Sequence, residues 1–268
     1  MRLSRVRLML VALLGVFSFA AVAPAAAQAE EAPRWSIGGK VLGGGETHYV
    51  TAKIYTTNEL PRFTFAFGSK TISCLAVRLA SGVLLGSSAG NPGTGNGVVE
   101  FFGNCDVTNN GAACKVIEPI VTKPVRSELA ETEKGTKASL LVEFKPAVGN
   151  EFTQINFTGT CTITSTRVTG EVAACVRTDP KNGEKGELIT LETPKKEATS
   201  WLLEVRPEVI SVWLIKNGVG EQREIPLKER LTAFGEPATL SGVALVLLAK
   251  KTGSGPLESE ETNWSPLP

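Results

Sequence analysis

The 268-residue sequence predicts an all-β protein: antiparallel sheets arranged as a sandwich or barrel, stabilised by disulfides, with little helix. Three observations predict this. Apolar and polar residues alternate with period two in many short segments, which is the signature of half-buried strands. Turn signals recur between those segments every ten to fifteen residues or so, the rhythm of sandwiches and barrels. Five cysteines follow an export signal, so they read as a disulfide framework rather than as a metal site.

The N-terminus carries the export signal. Arg2, Arg5 and Arg7 precede an apolar run, Leu8 to Val22, and then the small residues Ala25-Ala26-Ala27-Gln28-Ala29. Ala27-x-Ala29 fits the small-residue cleavage pattern, so residues 1–29 are expected to be a signal peptide and Glu30 the mature start. The run is shorter than the ~20 apolar residues that span a bilayer, which favours cleavage over a retained anchor. No cysteine precedes Cys74, so no lipid-modified N-terminal cysteine is expected. Val6 separates Arg5 from Arg7, so the twin-arginine form is absent.

Residues 30–178 form the main β-rich region. Strands are expected at Trp35 to Leu42, Thr47 to Tyr55, Phe63 to Phe67, Ile72 to Leu79, Val98 to Phe102, Lys115 to Val121 and Ser139 to Phe144. Phe63-Thr64-Phe65-Ala66-Phe67 puts three rings on one face and small residues on the other. Arg126 to Lys134 lacks a helical apolar stripe and reads as a strand entering a hairpin at Gly135. Ile155 and Phe157 share one face of a further strand, and Val168-Thr169-Gly170-Glu171-Val172 alternates as another. Turns are marked by Gly43-Gly44-Gly45, Asn91-Pro92-Gly93, Asn109-Asn110-Gly111, Lys181-Asn182-Gly183 and Asn217-Gly218.

Residues 179–199, rich in Lys, Glu, Gly and Pro, read as a polar loop or a linker holding a short strand, Leu188 to Leu191. Residues 200–249 add strands at Trp201 to Val205, Val209 to Ile215 and Thr239 to Leu248, in the same domain or in a second small one. Residues 250–268 are polar and proline-spaced, and a flexible tail is expected there. After signal cleavage no stretch is long enough to be a transmembrane helix.

Composition excludes some partners. Loss of the three leader arginines leaves 25 Lys and Arg against 27 Asp and Glu, a net charge of −2 on the 239-residue mature chain. No long single-sign run exists, so neither nucleic acid nor an anionic membrane is an expected partner.

The residues offer little for catalysis. His48 is the sole histidine, and Asp106 and Asp179 are the only aspartates. A Ser-His-Asp triad would need all three types brought together, and no G-x-S-x-G accompanies them. His48 therefore reads as a strand histidine on a polar face. A zinc site lacks a C-x-x-C pair and a second histidine. No catalytic, cofactor-binding or metal residues are assigned, and no cofactor is expected. The loop Gly86 to Gly97 has phosphate-loop glycines but no lysine, and a strand rather than a helix follows it. It reads as a flexible connection and as the best exposed contact loop.

The cysteines allow a sharper expectation. If Asn109-Asn110 makes a two-residue hairpin turn, Cys105 lies across from Cys114, whereas a turn at Asn110-Gly111, an equally good local signal, would shift the pair out of register. Cys161 continues the inward face of Ile155 and Phe157, whereas Cys175 falls in step with Arg167, Thr169 and Glu171 on an outward face. Cβ vectors that diverge cannot be bridged, so Cys161 does not pair with Cys175. The expected bridges are Cys105–Cys114 and Cys74–Cys161, with Cys175 unpaired or linking two chains.

The order "PRWSIGGKVLGGGE", "TISC", "GNPGT" before "VVEFFGNC", "FTQINFTGTC" and "PATLSGVALVLL" resembles a group of secreted β-rich proteins of actinobacterial type. The resemblance implies export, β structure and a cysteine set at Cys74, Cys105, Cys114 and Cys161. It implies no activity. Cys175 and the closing Trp264-Ser265-Pro266 depart from the pattern.

The function expected from these features is that of an exported, non-catalytic β-sandwich protein, a structural or binding component of the cell envelope or extracellular matrix. Its partner would be envelope glycan or protein. Two alternatives stand beside it: binding or hydrolysis of envelope glycan through a glutamate pair, and carriage of an apolar ligand inside a β-barrel.

Overall fold

The computed structural model describes residues 31–55, 62–108, 114–134, 138–180, 187–190, 197–209, 211–225, 230–251 and 257–267. The expected signal peptide lies outside them, as do the turns at 109–111 and 181–183. Strands are numbered in chain order, and no α-helix occurs among the described residues.

Eight antiparallel strands close into a barrel. They are β3 (Thr47–Ile54), β7 (Gly82–Leu85), β8 (Thr94–Gly97), β13 (Val125–Glu131), β14 (Leu140–Pro146), β17 (Val172–Thr178), β18 (Ser200–Val205) and β22 (Glu236–Lys251). The ladder runs β3–β7–β8–β13–β14–β17–β18–β22 and returns to β3. Closure leaves this sheet without an edge that another chain could extend. Alternation decides the interior: Val50 and Ala52, Val125 and Leu129, Leu140 and Val142, Trp201, Val246 and Leu248 are all buried within it. Strands from residues 200–249 share the ladder with strands from the main region, and β17 pairs directly with β18 through Thr178↔Trp201. Between them Ile189 is buried beside Val176 and Leu140.

One end is capped by a small sheet of β1 (Arg34–Ile37), β2 (Lys40–Val41) and β24 (Trp264–Leu267). This corrects the expected flexible tail. β23 (Leu257–Ser259) extends β22, and β24 lies along β1 with Trp35 opposite Pro266. Trp264 is buried, 6.0 Å from the Trp35 ring, and its carbonyl accepts a hydrogen bond from Trp201 Nε1 at 2.8 Å. Proline spacing misled the sequence reading, because an edge strand tolerates a proline whose missing N–H faces away from its partner.

The other end opens into further sheets. β4 (Phe63–Phe67), β5 (Lys70–Cys74) and β10 (Asp106–Thr108) pair in that order beside the first half of β22. On its other side the first half of β22 meets β21 (Thr232–Ala233), followed by β16 (Ser165–Thr169), β15 (Glu151–Gly159) and β11 (Cys114–Val116). β6 (Ala76–Leu79), β9 (Val99–Phe102) and β12 (Ile120–Val121) make a third ladder that joins β3 through Lys53↔Arg78. β22 serves both regions by turning at Gly242, whose φ of +147° and closeness to Phe63 admit no side chain: a Cβ there would lie 2.7 Å from the ring.

A last hairpin, β19 (Ser211–Lys216) and β20 (Val219–Glu224), lies outside the barrel. Val212 and Leu214 pack there on Ala130, Leu141 and Ala173, the outward residues of β13, β14 and β17.

The disulfides are Cys74–Cys105 and Cys114–Cys161, with Cys175 free and buried. The expected set of four holds, and the expected pairing does not. β10 and β11 do not face each other as a hairpin. Asp106 pairs with Ser73 on β5, which sets Cys105 beside Cys74, while Cys114 pairs with Gly159 on β15, which sets it beside Cys161. The Glu118 carboxylate fixes the approach by accepting from the backbone N–H groups of Gly103 and Cys105, both at 2.6 Å. Cys161 and Cys175 do not bridge, in keeping with the parity argument.

Candidate functional site

Among the described residues two small spaces lie inside the barrel. One, of about 50 Å³, is bounded by Trp35, Trp201, Trp264 and Leu84 near the capped end. The other, of about 70 Å³, is bounded by Phe63, Phe101, Phe152 and Leu240 near the open end. Leu79, Val125, Phe144, Leu203 and Val246 line both and form the partition. Each is well below the ~150 Å³ apolar cavity that accepts a benzene ring. Side chains thus fill the interior, as an eight-stranded barrel allows.

A larger space, of about 270 Å³, lies outside the barrel where β22 leaves it. Gly170 ends β16, and the chain turns there into β17, setting Glu171 alongside Arg230 in a parallel bridge. β18 ends at Val205, and Arg206 N–H then bonds to Ala173 O at 3.0 Å. The ends of β17 and β18, the exposed Pro237 and Thr239 of β22, and Ile225 after β20 enclose the cleft. Its floor is apolar, with Val172, Val205, Ile225, Leu231 and Leu240, and its charged walls are Glu171, Arg206 and Arg230.

The charges are unequally paired. Glu171 Oε1 accepts from Arg223 Nη2 at 2.6 Å, and Arg223 Nη1 donates to Glu143. Lys145 Nζ also reaches Glu143, at 3.0 Å, and lies 3.7 Å from Glu128. Burial first, and then repulsion from Glu143, push the Glu171 carboxyl above its usual range, and Arg223 offsets this only in part. Arg206 is balanced by Glu204 at 3.1 Å and Glu208 at 3.4 Å. Burial opposes ionisation of Glu204, yet hydrogen bonds from Arg177 and Arg206 hold its carboxyl below the usual range. Arg230 Nε donates to Ile225 O at 2.9 Å, and no carboxylate among the described residues pairs with its guanidinium.

The residues weighed in the sequence fall apart in space. His48 is exposed on β3 opposite Leu84. Asp106 pairs with Arg62 at 3.0 Å, and the buried Asp179 accepts from Ser200 Oγ at 2.6 Å. No histidine–aspartate pair forms among the described residues. No group of three or more His, Cys, Asp or Glu suited to a metal occurs among them. Glu143 and Glu171 share one guanidinium, and Glu143 is fully buried, so these two do not face a common open space.

The glycine loop differs from its reading as an exposed contact. Its second half is barrel strand β8, where Gly95 faces Ser127, and a Cβ at Gly93 would meet Trp35 at 2.7 Å. Its first half docks on the β19–β20 turn through Gly218 N–H to Gly90 O at 2.8 Å. The cleft itself was not legible in the sequence, since Glu171, Arg206 and Arg230 lie far apart in the chain and match no motif. No helix among the described residues is long and apolar enough to cross a membrane. No protein-family model, curated protein or solved structure matches the chain.

Proposed function

We propose that the chain is an exported, non-catalytic β-barrel protein of the cell envelope that works by binding, through the cleft beside Glu171, Arg206 and Arg230. One observation carries this reading. The cleft of about 270 Å³ is a preformed pocket with an apolar floor and a few placed charges, the usual make-up of a small-molecule site. It is built where strands end on a closed scaffold, so the ligand would meet rigid walls. The disulfides Cys74–Cys105 and Cys114–Cys161 support an oxidising compartment and hence export. Carriage of a ligand within the barrel has less support, because the two interior spaces are small and separated. Hydrolysis by Glu143 and Glu171 also has less support, since both glycosidase carboxylates must flank the scissile bond and Glu143 is enclosed.

The test is retention of an envelope component. Mature protein is incubated with fractionated glycan, lipid and protein from its own envelope, and what it retains is identified by mass spectrometry. Thr239 is exposed on the cleft wall, so Thr239→Trp fills the space without entering the core. The expected result is a component held by the native protein and lost from Thr239→Trp. Retention unaffected by that substitution, or no retention, refutes the reading.

A further inference from the structure

Taking the cleft as a binding site, we infer that its ligand is a small apolar monocarboxylate, an acid with a hydrocarbon or aryl body of about eight to ten carbons. The inference rests on that reading and adds the ligand class.

The charge of the walls selects the head group. Glu171 is met by Arg223 at 2.6 Å, and Arg206 by Glu204 and Glu208, so both are internally compensated. Arg230 is different. Its Nε is bound to the Ile225 carbonyl, which fixes the guanidinium plane, and the described residues offer no acceptor to its two Nη groups. A guanidinium held in this way presents two parallel N–H donors, the geometry that receives both oxygens of one carboxylate. Among the described residues the excess is a single positive charge. A dianion such as phosphate would bring more charge than the wall offsets.

The floor selects the body. Val172, Val205, Ile225, Leu231 and Leu240 supply hydrocarbon. A sugar would lose water from its hydroxyls without gaining partners there. A volume of about 270 Å³ is a little under twice the ~150 Å³ that takes benzene, which sets the length of the acid.

Titration calorimetry of the mature protein at pH 7 tests this with three probes. Octanoate carries tail and charge, 1-octanol the tail alone, and inorganic phosphate the charge alone. Octanoate is expected to bind one per chain, at least tenfold more tightly than octanol, with no saturable binding of phosphate. Arg230→Gln is expected to weaken octanoate at least tenfold and leave octanol unchanged. Thr239→Trp is expected to abolish both, and it carries the test if Arg230→Gln does not fold. Octanol binding as tight as octanoate, saturable phosphate binding, or octanoate binding indifferent to Thr239→Trp overturns the inference. If octanoate fails while an envelope component is still lost from Thr239→Trp, the ligand class is wrong and the binding site stands. If neither is held, both fall.

Discussion

Cys175 shows how much a residue's surroundings add to its direction. Parity along its strand places it outward, and it does lie on the outer face of the barrel, between Leu141 and Glu204 in the ladder. The outer face is not solvent there: the thiol is 3% exposed. Burial first, with the charges of Glu204 and Glu208, raises its pKa, so at neutral pH it is a protonated, inert thiol. Of the two expected states, unpaired or linking two chains, the structure shows the unpaired one, with the cysteine buried. A thiol reagent is expected to modify no cysteine in the native mature protein and one per chain after unfolding without reductant. Rapid native labelling would contradict this.

Glu171 gives a pH prediction with a definite sign. Its carboxyl is raised in the folded state, so the protonated form is the better tolerated one. Its contribution to stability is complete below the unfolded value of about 4.3 and is lost as pH rises through the higher folded value. Glu204, held low by Arg177 and Arg206, acts oppositely: its contribution is present above that unfolded value and lost as pH falls through the folded one. Glu171→Gln is therefore expected to remove the loss above pH ~4.3 and to leave the acid limb in place. Denaturant midpoints of both proteins across pH 3 to 8 check this. An unchanged profile on the alkaline side of the window would show that Glu171 does not titrate there.

At the scale of elements, the C-terminal strand carries the clearest correction. A polar segment with two late prolines reads as a tail, yet Trp264 closes the barrel with Trp35 and Trp201. Trp264 Nε1 donates to Thr199 O at 3.3 Å, and the strand N–H and C=O of Trp264 both pair with Ala198. Trp264→Ala is expected to cost about 3–5 kcal/mol in denaturant unfolding, the range for emptying a buried tryptophan site. A loss under about 1 kcal/mol would mean the cap is marginal to stability.

Other elements divide where the sequence reading ran them together. Ile72 to Leu79 becomes two strands broken at Leu75, and Val168 to Val172 breaks at Gly170, where the chain leaves one sheet for the barrel. Arg126 to Lys134 behaves as expected, a strand paired with its successor from Val125↔Pro146 to Glu131↔Leu140. Alternation is visible along a segment, but a change of sheet partner inside it is not, because both halves keep period two.

For the whole molecule, the disulfides act where the closed ladder does not. Both lie in the open-end sheets, and they span 31 and 47 residues of sequence. Loops of that length limit the unfolded chain by roughly 3–4 kcal/mol each in the chain-entropy account. Replacing Cys74 and Cys105 together by alanine is expected to lower stability by about that amount and leave the barrel's circular dichroism intact. Non-reducing peptide mapping of the native protein is expected to give Cys74–Cys105 and Cys114–Cys161 peptides. A dominant Cys105–Cys114 peptide would contradict the observed strand pairing.

By itself the sequence determined the all-β class, the positions of most strands, the four cysteines that bridge and the one that does not. These follow from local rules: period-two burial, turn chemistry, and parity within one strand. The tertiary structure alone decided which strands are neighbours. That choice made a barrel rather than a sandwich, paired Cys105 with Cys74 rather than Cys114, turned the presumed tail into a cap, and brought Glu171, Arg206 and Arg230 to one cleft. The physical reason is that pairing between distant strands is set by how all the apolar faces pack at once. No window of sequence contains that information, and a site made at the ends of four different strands inherits the same non-locality.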